Sequence, residues 1–306
     1  MKSIALIFPG QGAQKVGMGK EFYEASAAAK AIFDEANAIC GGDLLATMFE
    51  GPEDKLIQTA YCQPAILSMS IAALTAFQFN PKYKNIDVKF TAGLSLGEYT
   101  ALTASGTMSF ADTLRLVQKR GAFMEEATKE AKGAMAAVLS FDKNKLIDIC
   151  KATGAEVANF NSNEQIVITG HAAKVEAAID AIKKAEGNVT PLTVAGAFHS
   201  SLMQSAADKF KNVLSDVAIH PTAIKVITNV NALPQDDASS IKSNLAKQIT
   251  ASVQWVATIQ YMVNHGVTEF IEIGPGKVLK GLIRRINPNT VVHNIEKPAD
   301  IDAIPV

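Results

Sequence analysis

Apolar positions along the chain fall into two rhythms. Short apolar runs, "SIALIF" (3–8), "VKFTAGL" (88–94), "IKVITNV" (224–230) and "TEFIEIG" (268–274), predict buried strands. The longer segments between them space their apolar residues three and four apart and predict helices. Alternation of such strands with helices predicts a parallel sheet with helices on both faces, an α/β fold.

The rhythm changes from about 133 to 195. There the pattern reads strand "AMAAVLS" (134–140), helix "KNKLIDICKAT" (143–153), strand "EVANFN" (156–161), strand "QIVITG" (165–170), helix "AAKVEAAIDAIKKA" (172–185) and strand "NVTPLTV" (188–194). The order β-α-β-β-α-β predicts a small ferredoxin-like domain. The expected organisation is a large parallel-sheet α/β body of the hydrolase-like kind, residues 1–131 and 196–306, with a ferredoxin-like insert, residues 132–195. A chain of 306 residues is long enough to bury a core in both.

Composition removes several classes. With 29 Lys+Arg against 30 Asp+Glu the formal net charge is -1, which argues against nucleic acid and acidic membrane surfaces as partners. Cys40, Cys62 and Cys150 are odd in number and form no C-x-x-C pair, so they read as reduced thiols of a cytoplasmic protein, with neither a disulfide frame nor a metal site. The first apolar run ends in a Pro-Gly turn without a cleavage site and reads as a strand rather than a signal peptide. The stretch "AILSMSIAALTAF" (65–77) is broken by Ser and Thr and falls short of the roughly 20 residues that span a bilayer, so a soluble protein is expected.

Four features carry candidate chemistry. The stretch "GLSLGEYTAL" (93–102) puts Ser95 in a G-x-S-x-G turn between a strand and a helix, the form of a nucleophile elbow. The amides that follow, beginning at Leu96, open a helix and can stabilise an oxyanion. On this stretch alone a structural turn serine is as good a reading. A nucleophilic serine needs a base, and of the five histidines His171, His220, His265 and His293 all have plain readings as caps or surface residues. His199, in "VAGAFHSSLM", falls where the insert returns to the body, facing the seam between domains, although a capping or packed histidine stays open there too. Arg120 continues an apolar helical stripe with Val117 and Met124, so its guanidinium needs an anion, either an internal partner such as Glu98 or a substrate carboxylate. Finally "FPGQGAQ" (8–14) fails as a dinucleotide fingerprint, with Lys15 where the third glycine would stand, yet it offers backbone N–H groups at the carboxyl edge of the sheet.

Taken in order, "FPGQGAQ", "YCQPAIL" (61–67), "GLSLGEY" (93–99), "KRGAFMEEA" (119–127), "GAFHSSLM" (196–203), "VQW" (253–255) and "IGPGKVL" (273–279) resemble the malonyl-CoA:acyl carrier protein transacylases and, more broadly, the acyltransferase domains of polyketide synthases. The resemblance runs over nearly the whole chain. It implies that Ser95 is the acylated nucleophile, that His199 is its base, oriented by a backbone carbonyl near Gln254, and that the amides of Gln11 and Leu96 form the oxyanion hole. It further implies that Arg120 binds the malonyl carboxylate, with Gln11, Met124, Phe198 and Gln254 lining the acyl site and Phe198 crowding the α-carbon. Malonyl-CoA is then the substrate, the phosphopantetheine of an acyl carrier protein the acceptor, and no cofactor or metal is bound permanently. A cytoplasmic monomer is expected. One departure is Leu94, where family members often carry His. The rival readings are an acyltransferase serving a polyketide synthase, a serine thioesterase with its triad in the order Ser, Asp/Glu, His, and a silent carrier-protein-binding subunit.

Overall fold

The computed structural model describes residues 3–235 and 237–305. Its strands are β1 (Ser3–Phe8), β2 (Asp87–Gly93), β3 (Gly133–Leu139), β4 (Glu156–Ser162), β5 (Gln165–His171), β6 (Asn188–Pro191), β7 (Lys225–Ile227), β8 (Pro234–Gln235), β9 (Glu269–Ile273) and β10 (Val291–Ile295). Among the described residues the larger sheet has six strands in the order β10-β9-β1-β2-β7-β8, parallel except where β8 turns back on β7. Side chains of β1 alternate between its faces. Ile4, Leu6 and Phe8 enter one apolar cluster, with the helices Thr59–Phe79, Leu96–Ala104 and Phe110–Glu130, while Ala5 and Ile7 enter a second, with Trp255–Asn264 and Val278–Ile286.

The helix Thr59–Phe79 is apolar around its whole circumference because helices surround it. It is long and apolar enough to cross a membrane, yet 78% of that stretch is buried inside the protein, as in the core helix of a large domain.

The second sheet is antiparallel, in the order β4-β5-β3-β6, with the helices Lys143–Thr153 and Ala172–Lys184 packed over an apolar cluster of its own that includes Ala136, Ile168 and Ile182. Strand order and connectivity are those of a ferredoxin-like unit. Its other face contributes Met135, Ala158 and Val167 to the main cluster. The edge of β4 also bonds the body directly, since Val253 N–H donates to Ala158 O at 2.8 Å and Phe160 N–H to Val253 O at 2.9 Å. The small sheet thereby forms one wall of a seam beside the carboxyl edge of the large one.

Several strands differ from the sequence reading, the two-residue β8 among them. β10, an edge strand whose His293 reaches Glu269 at 3.2 Å, went unpredicted because "VVHNI" mixes polar and apolar positions. β7 is three residues long instead of seven, because the chain turns at 228–231. β6 stops at Pro191, and 192–195 runs on as exposed extended chain. Cys62 and Cys150 are buried, Cys40 is half-buried, and all are free thiols.

Candidate active site

The elbow is built by close backbone approach. A Cβ on Gly93 would stand 2.0 Å from the carbonyl of Gly97, and one on Gly97 would stand 2.1 Å from Phe8 O, so both positions require glycine. Between them Ser95 takes φ 53° and ψ -104°, a strained conformation for a non-glycine residue. Asn229 holds the turn from outside: its Oδ1 accepts Ser95 N–H at 2.6 Å and its Nδ2 donates to Gly93 O at 2.7 Å.

His199 comes to Ser95 across the seam. Its Nε2 lies 2.8 Å from Ser95 Oγ, and its own φ is 57°. Nδ1 faces the backbone carbonyls of Gln248 at 2.8 Å and Ala251 at 3.2 Å. Two acceptors at Nδ1 require the proton there, which leaves the Nε2 lone pair for the serine hydroxyl. Burial, with help from the Arg120 charge, pushes the imidazole from its ordinary 6.5 down to about 4, so it is neutral at physiological pH. Among the described residues no carboxylate bonds this ring, so the Ser, acid, His order of a hydrolase triad is not built here.

The expectation of an orienting carbonyl near Gln254 is corrected by these contacts. The helix Ala238–Gln248 ends before that point, and its unpaired terminal carbonyl is that of Gln248. Gln254 instead caps the next helix, its carbonyl taken by Thr258 N–H at 2.9 Å. Toward the site its backbone amide donates to Asn229 O at 2.8 Å.

Arg120 is fully buried in the helix Phe110–Glu130. Nη1 donates to Gln63 Oε1 at 2.7 Å, Nη2 to Gln248 Oε1 and to Ser95 Oγ, both at 3.1 Å, and the guanidinium carbon lies 5.1 Å from the centroid of the Tyr99 ring. Its contacts among the described residues are neutral groups, and Nε has no partner. Glu98 does not pair with it directly. That carboxylate accepts from Gln248 Nε2 at 2.6 Å and Asn229 N–H at 3.1 Å, and burial pushes it up to about 7.

The remaining expected residues sit around this centre. Gln11 Oε1 accepts from Gln63 Nε2 at 3.4 Å, and Met124 Sδ faces the same nitrogen at 3.7 Å. Phe198 is buried beside the base, its carbonyl accepting from Thr169 Oγ1 at 2.9 Å. The amides of Gln11 and Leu96 donate to no acceptor among the described residues, whereas the next amides of the helix turn inward, Gly97 to Leu94 O and Glu98 to Ser95 O. Leu94 is half-buried against the second apolar cluster. His171, His220 and His265 are exposed, and none of the four other histidines bonds a residue of this site.

Sequence reasoning missed Gln63, Asn229 and Gln248. Gln248 did carry a signal, since it extends the buried stripe of Ile241 and Leu245 as a polar residue, just as Arg120 extends its own. Gln63 likewise interrupts an apolar helix.

An acyl transferase domain matches residues 5–294. The chain belongs to the acyl transferase family. It is 42% identical over 308 aligned residues to a malonyl CoA-acyl carrier protein transacylase of Bacillus subtilis, covering 99% of this chain and 96% of that one. A relative of the same name from Staphylococcus aureus is 40% identical, with 98% of each chain covered. The fold matches an acyl-carrier-protein S-malonyltransferase of Bartonella henselae with a TM-score of 0.94 at 39% identity, covering 99% of this chain and 98% of that one. It matches equally, at 0.94 and 34% identity over the same shares, a malonyl-transacylase solved in complex with the acyl-carrier protein of a type II polyketide synthase. This acyltransferase therefore has its relatives along its whole length, both sheets included.

Proposed function

We propose that the protein transfers a malonyl group from malonyl-CoA to the phosphopantetheine thiol of an acyl carrier protein through a malonyl ester of Ser95, supplying the elongation unit for fatty acid synthesis. The reading is carried by one observation: Ser95 Oγ lies 2.8 Å from a neutral imidazole and 3.1 Å from a buried guanidinium that bonds no carboxylate among the described residues. A base beside a hydroxyl makes a nucleophile, and an unpaired buried cation beside that hydroxyl selects an acyl group carrying an anion.

In the first half-reaction His199 Nε2 takes the Ser95 proton as Oγ attacks the thioester carbonyl. The oxyanion accepts from the amides of Gln11 and Leu96, which have no other acceptor among the described residues. Collapse breaks the carbon–sulfur bond, and His199 returns its proton to the departing CoA sulfur. In the second half the carrier thiol gives its proton to His199 and attacks the ester, and Ser95 Oγ leaves and takes that proton back. Arg120 holds the malonyl carboxylate through both steps. No resident metal or cofactor has a part in this scheme.

The same reading treats residues 132–195 as an insert in a body of residues 1–131 and 196–306, and the protein as a cytoplasmic monomer. Radiolabelled malonyl-CoA tests the central claim. Label is expected on Ser95 in the wild type and absent from Ser95→Ala, with transfer onward when a carrier protein bearing phosphopantetheine is added. Equal labelling of Ser95→Ala rejects it, and label released as free malonate without a carrier points to a thioesterase.

A further inference from the structure

Two buried charges lie beneath Ser95 without touching. Among the described residues Arg120, 0% exposed, bonds only neutral acceptors, and Glu98, 1% exposed, accepts only from neutral donors. One amide stands between them. Gln248 accepts Arg120 Nη2 on Oε1 at 3.1 Å and donates from Nε2 to Glu98 Oε2 at 2.6 Å. This amide cannot turn over, because Nε2 also faces Ser95 O at 2.9 Å and Asn229 Oδ1 at 3.5 Å, and a turned amide would set its oxygen against three others.

Opposite charges taken out of water ordinarily pair directly, since each is costly to bury alone. Direct contact here would cover the guanidinium with a resident carboxylate and leave it no grip on a substrate. Separation by one neutral amide balances the charge while keeping the N–H groups nearest Ser95 free of an anion.

We propose that Glu98 is the counter-charge of Arg120, acting through Gln248, and that it limits how tightly the carboxylated acyl group is held. The inference rests on the reading of Arg120 as the partner of the malonyl carboxylate. Glu98 is a positioning residue in this scheme and does not touch substrate. A definite sign follows. An incoming carboxylate at Arg120 is repelled by Glu98 through a poorly screened interior, so removing the Glu98 charge strengthens malonyl binding, whereas removing a merely structural support weakens it. Glu98→Gln isolates the charge, because both hydrogen bonds to Glu98 end on the same oxygen, Oε2, and an amide oxygen can accept both.

The experiment measures binding of malonyl-CoA and acetyl-CoA by calorimetry to the Ser95→Ala protein, where no transfer occurs, at pH 8.5, where Glu98 is ionised. Adding Glu98→Gln is expected to tighten malonyl-CoA binding at least threefold and to leave acetyl-CoA within twofold. Unchanged or weaker malonyl-CoA binding by a folded variant overturns the assignment. Should Glu98→Gln fail to fold, the Ser95→Ala protein alone decides at pH 7. An added carboxylate favours protonation of Glu98, so malonyl-CoA binding should take up protons, read from the dependence of the heat on buffer ionisation, and acetyl-CoA binding should not. Of the other ionisable groups set around this pair, burial pushes the Tyr99 phenol and the Cys62 thiol up and the His199 imidazole down, away from neutrality. Equal uptake with both thioesters overturns the proposal. Failure of wild-type Ser95 to become labelled by malonyl-CoA overturns the underlying reading instead, and the two failures are separate.

Discussion

His199 Nε2 lies 2.8 Å from Ser95 Oγ across 104 residues of sequence, and both residues hold a positive φ. Such conformations cost on the order of 1–3 kcal/mol each in a non-glycine residue and persist where the surroundings fix them. The clamps are visible on both sides, Asn229 on Ser95 and the Gln248 and Ala251 carbonyls on His199.

The acid limb of the acylation reaction should fall unusually low. The base must be neutral, and its imidazole is pushed from 6.5 to about 4. Acylation of Ser95, followed as kcat/KM for malonyl-CoA in the first half-reaction, should show no loss as pH falls to about 5, any change through neutral pH being the rise that protonation of Glu98 brings, and should be half lost near 4. A loss setting in near 6.5 would contradict the buried, neutral base. Stability follows the same window. Between about 4 and 6.5 the unfolded chain takes a proton on this histidine that the native site refuses, so its contribution is whole above 6.5 and shrinks as pH falls toward 4; it is measured as the difference in urea unfolding between wild type and His199→Phe at pH 7 and pH 5, which cancels the opposite contributions of Glu98 and Glu272.

Replacing Arg120 should separate acyl groups by charge. A charge-assisted pair is worth about 1.5–3 kcal/mol, so Arg120→Ala is expected to lower kcat/KM for malonyl-CoA by roughly 10- to 150-fold. Acetyl transfer should stay level or rise, since acetyl has no carboxylate for the guanidinium to meet. Arg120→Lys keeps the charge without the planar fork and should recover only part of the malonyl activity. Equal loss for both thioesters would assign Arg120 to the elbow alone, through its contact with Ser95 Oγ.

Phe198 should govern a softer preference. The ring is buried next to His199 in the main apolar cluster, where a branched acyl group would compete with it for space. Exclusion of one methyl is worth about 1–3 kcal/mol, so Phe198→Leu should raise methylmalonyl transfer relative to malonyl by roughly tenfold, measured with the two CoA esters in competition. An unchanged ratio would place the α-carbon elsewhere.

The chain revealed its chemistry unevenly, for physical reasons. Gly93, Ser95 and Gly97 form a local motif because an elbow is made by neighbours in sequence, and Arg120 stood out because a cation on an apolar stripe is anomalous by itself. His199 was set apart from four other histidines only by its position at the return from the small sheet. Asn229 and Gln248 were illegible as site residues, since they reach Ser95 over separations of 134 and 153 residues and their bonds are made by the fold. The misplaced orienting carbonyl has the same origin, for any residue supplies a carbonyl and only the end of a helix decides which one is free. The fold read more easily: β1, β2 and β9 are short segments rich in apolar residues, whereas edge strand β10 mixes polar and apolar positions and β7 is cut short.

That shortening of β7 is what brings Asn229 into the site. The sequence "IKVITNV" reads as one strand, but after Ile227 the chain turns and delivers the Asn229 amide to both sides of the elbow, to Ser95 N–H at 2.6 Å and to Gly93 O at 2.7 Å. Asn229→Ala would leave a buried donor and acceptor without partners, a loss of about 1–3 kcal/mol for each group left unsatisfied. The strained φ of Ser95 would lose its clamp at the same time. Because this touches the nucleophile and not the acyl carboxylate, kcat should fall at least tenfold for malonyl and acetyl transfer alike, with their ratio unchanged. Asn229→Asp keeps the oxygen that accepts from Ser95 but sets a second oxygen against Gly93 O and a charge beside Glu98, and should be no more active than Asn229→Ala. A change in the malonyl-to-acetyl ratio in Asn229→Ala would show that Asn229 acts through Gln248 and Arg120 rather than through the elbow.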